Sequence, residues 1–106
     1  MDNLNLNLNE IGSTIRVNLG YDITASTPTL ILQPEIGITK EITTGVTIPN
    51  VQVVTDLETF EAGEYIEYNT IDGDLDYVGR WRKKAKLNFS SSDIQQNDFQ
   101  KFRVLA

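Results

Sequence analysis

The sequence predicts an all-β domain, an antiparallel sandwich or barrel of about seven to nine strands. Three observations point there. No stretch with helical apolar periodicity reaches a dozen residues, short alternating runs recur, and Gly, Pro, Asn and Asp separate those runs. At 106 residues the chain is long enough for one domain and too short for two ordinary ones. Residues 1–106 are therefore read as a single unit, large enough to bury one core without covalent staples.

Taken in order, residues 3–9 alternate strictly, with Leu4, Leu6 and Leu8 on one face and asparagines on the other. Thr14–Leu19 is a second strand, with Ile15, Val17 and Leu19 inward. Residues 20–28 form a loop, and Thr29–Gln33 is a third strand stopped by Pro34. Residues 37–44 run as a strand into a turn at Gly45, and Val51–Asp56 follows. Residues 57–63 read as a polar loop, Glu64–Asn69 as a sixth strand and Arg80–Phe89 as a seventh. Residues 90–98, rich in Ser, Gln, Asn and Asp, read as a loop before a last strand at Phe99–Leu105. This many short strands at such spacing suits an antiparallel sandwich or barrel.

The strand at 80–89 says most about function. Period two sets Trp81, Lys83, Ala85, Leu87 and Phe89 on one face, which reads as core with Trp81 as its anchor. Lys83 breaks that face. It is expected where the core opens to solvent, its stem lying on apolar surface, or beside a bulge. Arg80, Arg82, Lys84 and Lys86 form a cation row on the other face. Such a row needs opposite charge across from it. A neighbouring strand could supply that, for example through Glu64 or Glu67, and so could a partner protein.

Charge divides along the chain. Net charge is −6, yet residues 1–79 carry thirteen acidic groups against Arg16 and Lys40, a balance of −11. Residues 80–106 carry seven cations against Asp93 and Asp98, a balance of +5. This suits two solvated faces of opposite sign, or a molecule that docks head to tail with copies of itself or with a charged partner.

Other chemistries have little support. There is no cysteine and no histidine, so disulfides, thiolate metal sites and the commonest general base are excluded. Ser90, Ser91 and Ser92 lack a histidine to activate them, and spacing singles out no carboxylate pair, so no enzyme is expected. The run Asp72-Gly73-Asp74-Leu75-Asp76 looks like the start of a calcium loop. Tyr77 and Lys83, however, stand where such a loop needs Gly and Glu, so turn chemistry is expected, with no cofactor and no metal. The RWRKKAK run could track phosphates, but the chain is acidic overall and Trp81 serves better as core, so no nucleic-acid partner is expected. No apolar run reaches 18 residues and the N-terminus lacks signal-peptide character, so no membrane is expected and synthesis in a cytoplasm is. The regular LNLNLN segment is either the first strand of the fold or an arm, residues 1–10, that exchanges onto a neighbouring subunit's sheet edge.

Several segments together resemble small immunoglobulin-like (Ig-like) virion proteins of tailed bacteriophages, similar to the N-terminal domain of phage baseplate upper proteins. Residues Ile11 to Val17 resemble the family's opening strand after a glycine. Asp22 to Ser26 resembles its next loop, leading into Leu30-Ile31-Leu32-Gln33-Pro34. Tyr65 to Tyr68, then Asp72 to Asp76, then Gly79-Arg80-Trp81 match its pattern most closely. Lys83 departs from an apolar position, and residues 37–53 lack the usual Pro-Asp-Gly hairpin turn. The resemblance implies a single Ig-like antiparallel sandwich acting as a structural, non-enzymatic part of a tail, neck or baseplate. It would be made in the host cytoplasm and present in several copies among other virion proteins in a symmetric assembly. Capsid decoration or cementing is the alternative role, and a soluble Ig-like adhesin or ligand-binding module is the second. Arg80, Arg82, Lys84, Lys86, Leu4, Leu6 and Leu8 are the expected partner-binding residues.

Overall fold

Strand pairing around β8 (Gly79–Ser90) organises the chain in a computed structural model that describes residues 4–106. Every described element is a strand: β1 (Leu4–Asn7), β2 (Thr14–Asn18), β3 (Thr27–Pro34), β4 (Lys40–Ile42), β5 (Val53–Val54), β6 (Thr59–Phe60), β7 (Tyr65–Asn69), β8, β9 (Asp93–Gln96) and β10 (Gln100–Leu105). The main sheet runs β1-β10-β8-β3-β4, with β9 also paired to β8. It is mixed, because β1 lies parallel to β10 while its other pairs are antiparallel. Strands β2 and β7 form a second, two-stranded antiparallel piece, and β5 and β6 a third.

The long β8 explains this arrangement. Its central eight residues pair with β3 on one side, from Trp81 opposite Pro34 to Asn88 opposite Thr27. On its other side the first half pairs with β10 and the second half with β9. Strands β6 and β9 fall where loops are expected from composition. All four residues of β9 are exposed, so no apolar alternation marks it; pairing to β8 alone makes it a strand.

One core joins the main sheet to β2 and β7. Ile15, Val17, Ile66 and Tyr68 face Leu30, Leu32, Trp81, Ala85, Leu87, Phe102 and Val104, with Leu75 and Ile23 closing the cluster from loops. The alternation of β8 is as its sequence implies: Trp81, Lys83, Ala85 and Leu87 are buried, and Arg80, Arg82 and Asn88 are exposed. Trp81 donates its indole N–H to the carbonyl of Tyr77 at 2.9 Å, and its ring lies 5.8 Å from that of Phe102. Burial and one satisfied polar atom make it the anchor of this layer.

The acidic turn is held by its own groups. The Asp74 carboxylate accepts from the Ile71 backbone N–H at 2.8 Å and from the Tyr68 hydroxyl at 2.5 Å. Lys40 pairs with Asp76 at 3.1 Å and donates to the carbonyls of Gly73 and Asp74. Burial first, and then this hydrogen bond to Asp74, pushes the Tyr68 hydroxyl well above the usual tyrosine range. A second constraint sits at Gly63, whose φ of +73° disfavours any side chain and whose Cβ would stand 2.9 Å from Thr24 Cγ2.

The segment expected as an arm lies against its own chain. Leu4, Leu6 and Leu105 help define the register, with Leu4 opposite Phe102 and Leu6 opposite Val104, and the Leu8 N–H donates to the Leu105 carbonyl at 2.7 Å. Leu6 is buried in the core and Leu8 is exposed. Residues 1–3 of the expected arm lie outside the described residues.

Candidate docking site

Strand alternation and register place the cations. Because side chains alternate across a strand, residues in register share a face. Arg80 stands opposite Arg103 and Arg82 opposite Lys101 on the β8–β10 pair, with Lys84 and Lys86 further along β8. The outer face of the main sheet thus gathers six cations: Arg80, Arg82, Lys84, Lys86, Lys101 and Arg103. Four of these are the expected row; Lys101 and Arg103 are additions.

Neither Glu64 nor Glu67 supplies the opposite charge. Glu67 sits on β7 and accepts from Arg16 Nε at 2.9 Å. Around the row, Glu35 lies 4.0 Å from Arg80, at the limit of an ion pair between two largely exposed side chains. Arg82 donates instead to the neutral Gln33 side chain on β3. Phe99 lies against the row, its ring centre 4.3 Å from the Arg82 guanidinium carbon and 4.4 Å from Lys84 Nζ. These contacts hold Arg82 and Lys84 in place, and among the described residues the row makes one ion pair, Arg80 with Glu35. Glu41 on β4 shares the face by register, two strands from Lys84, so six cations face two carboxylates there.

A cleft of about 560 Å³ opens beside them, lined by Gln33, Pro34, Glu35, Gly37, Arg80, Trp81, Arg82, Lys101, Phe102 and Arg103. Four cations and one carboxylate line it, so it favours anionic groups. Ser90 and Ser92 stand 3.4 Å apart at the exposed β8–β9 turn.

Lys83, expected near solvent or beside a bulge, is neither. It is 6% exposed, and the β8 irregularity falls at residues 88–90. Its ammonium donates to the Arg16 carbonyl on β2 at 2.6 Å. Gln100, in register with Lys83 on β10, donates likewise to the Asn18 carbonyl at 3.2 Å. Along β2, Arg16 and Asn18 alternate with the residues bonded to β7, so these two carbonyls point away from that partner. Side chains from the main sheet therefore cap the free edge of β2. Desolvation brings the Lys83 ammonium down to about 8; the Glu58 carboxylate opposes this fall and Arg16 adds to it.

No family model matches the chain, and no curated protein or solved structure matches it either.

Proposed function

We propose that this chain is an Ig-like sandwich, its main sheet antiparallel except for the parallel β1–β10 pair, that serves as a non-enzymatic docking module in the particle of a tailed bacteriophage, within its tail, neck or baseplate. The outer face of the main sheet is the docking surface. The strand order supports the fold: β4-β3-β8-β10 follows the C′-C-F-G order of an Ig-like sheet, and β2 with β7 takes the place of strands B and E in the facing sheet. The phage particle enters through the sequence resemblance, and docking through the charge on the sheet. Made in the host cytoplasm, the module takes its place among other virion proteins in several copies around a symmetric assembly.

One observation carries the docking reading: Arg80 opposite Arg103, and Arg82 opposite Lys101. Like charges directly opposite destabilise a sheet, and two such pairs side by side oppose folding of the isolated chain. A partner with carboxylates on the mating surface turns that repulsion into attraction and steers encounter.

The variant Arg82→Glu with Arg103→Glu tests this. Each replacement faces a cation across the strands, so the isolated fold is expected to hold or gain up to about 1 kcal/mol. The six cations of the face fall to four, opposed by two new carboxylates, and incorporation into particles is expected to fail. Incorporation at the wild-type level by this folded variant would refute the assignment of the face.

A further inference from the structure

The opposite side of the molecule carries the complementary charge. Residues 41–79 hold nine carboxylates and no cation. Five of these, Asp56, Glu58, Glu61, Glu64 and Glu67, fall on or beside the β5–β6 hairpin and β7. The hairpin is tied to the outward side of β2 and β7. Phe60 packs on Tyr65 with ring centres 5.3 Å apart, Arg16 lies over Phe60 at 5.7 Å, and Asn18 Nδ2 donates to Glu58 Oε1 at 3.1 Å. Within this group Glu67 is paired with Arg16, and Glu58 acts on the inward Lys83 ammonium. The inward side of β2 and β7 is the core. The basic face of the main sheet looks away from that same core. One side of the molecule is therefore basic, and the other acidic, with the apolar layer between them.

We propose that the docking face receives a second copy of this chain, the acidic hairpin side of one molecule seating on the basic sheet face of the next. This rests on the docking reading above and names its occupant. Such an interface is heterologous: the two surfaces differ, so an open assembly keeps one free surface of each sign, one at either end, and grows until a ring closes or a filament forms. The individual contacts are exposed charge pairs, weak singly and screened by salt, so self-association is concentration-dependent and favoured at low ionic strength. The cleft beside Arg80 and Arg103 gives an acidic side chain a place to enter.

Sedimentation of the full chain over a concentration series tests this, below and above the ~0.15 M salt at which screening acts over about 8 Å. Mass is expected to rise with concentration at low salt and to return to monomer at high salt. Arg82→Glu with Arg103→Glu removes the basic surface, and Asp56→Lys with Glu61→Lys removes the acidic one. Each is expected to weaken self-association at least about tenfold. Mixed in equal amounts, the two variants still share one intact interface, so they are expected to form a dimer that cannot extend. A wild type that stays monomeric at low salt overturns the proposal, as does a mixture that stays monomeric. A monomer that binds a mixed-sequence DNA duplex with steep salt dependence also overturns it and assigns the face to phosphates. A monomeric wild type whose basic-surface variant still fails to enter particles overturns self-docking alone and leaves docking on another virion protein standing.

Discussion

Deprotonating a single buried side chain is expected to strengthen this fold. Lys83 is desolvated among apolar neighbours, with its ammonium on the Arg16 carbonyl. Its pKa falls from 10.5 to about 8, a change worth about 3 kcal/mol between the folded and unfolded chains. The sign follows from proton counting. Between pH 8 and 10.5 the unfolded chain holds this proton and the folded chain has released it, so stability rises with pH across that window. Below pH 8 both states are protonated and the full penalty applies. Tyr65 and Tyr68, both raised by burial, act oppositely: from about pH 10 upward they ionise more readily in the unfolded chain, and stability falls. The clean interval is therefore pH 7 to 9.5, where Lys83 contributes a gain of about 2 kcal/mol. Denaturant unfolding at steps across that interval measures it, with Lys83→Met as the reference. Methionine removes the charge and keeps an unbranched apolar stem, but leaves the Arg16 carbonyl without this donor. At pH 7 the variant is expected to match wild type or exceed it by up to about 2 kcal/mol. Its midpoint should not climb with pH as that of wild type does. Equal slopes in the two proteins would refute the argument. So would a loss beyond about 3 kcal/mol in Lys83→Met, because the ammonium would then be holding the β2 edge at a net gain.

Trp81→Ala removes the largest side chain of the core and is expected to cost about 3–5 kcal/mol in denaturant unfolding; a shift near zero would mean that the ring is not core. Asp74→Ala removes the acceptor for both Ile71 N–H and Tyr68 hydroxyl, expected to cost about 1–3 kcal/mol and to lower the Tyr68 pKa in a spectrophotometric titration. Because the Asp74 carboxylate is engaged within its own turn, thermal melts in calcium and in chelator should coincide; a calcium-induced rise lost in Asp74→Ala would contradict this reading.

Period two made most of the core legible in the sequence. Ile15 and Val17, Leu30 and Leu32, and Trp81, Ala85 and Leu87 are inward because apolar residues at two-residue spacing have one buried face available. The cation row on β8 was legible for the same reason. Its neighbours were not, since register between β8 and β10 depends on pairing across a turn of variable length. The alternation of Lys101 and Arg103 with Phe102 and Val104 is the signal that could have added them. Strand β9 escaped because it is polar and exposed, and β6 because two residues, Thr59 and Phe60, are too few to show alternation; both exist by pairing with a neighbour.

The position of Lys83 was legible and its consequence was not. An inward lysine looks like a place where the core opens, because an unpaired buried ammonium is costly. The structure removes that objection with a carbonyl the sequence does not reveal as free: Arg16 lies on a strand whose second edge has no strand partner. The same two-stranded piece then explains the polar departures on β8 and β10. Its open edge requires donors from the main sheet, which Lys83 and Gln100 supply from adjacent strands. Its outward side, roofed by the β5–β6 hairpin, takes Glu67 to Arg16 and so leaves the main-sheet cations without that acid. The excess of cations on the outer face, among the described residues, is thus tied to how the second layer satisfies its own polar groups, and the proposed docking partner would complete it.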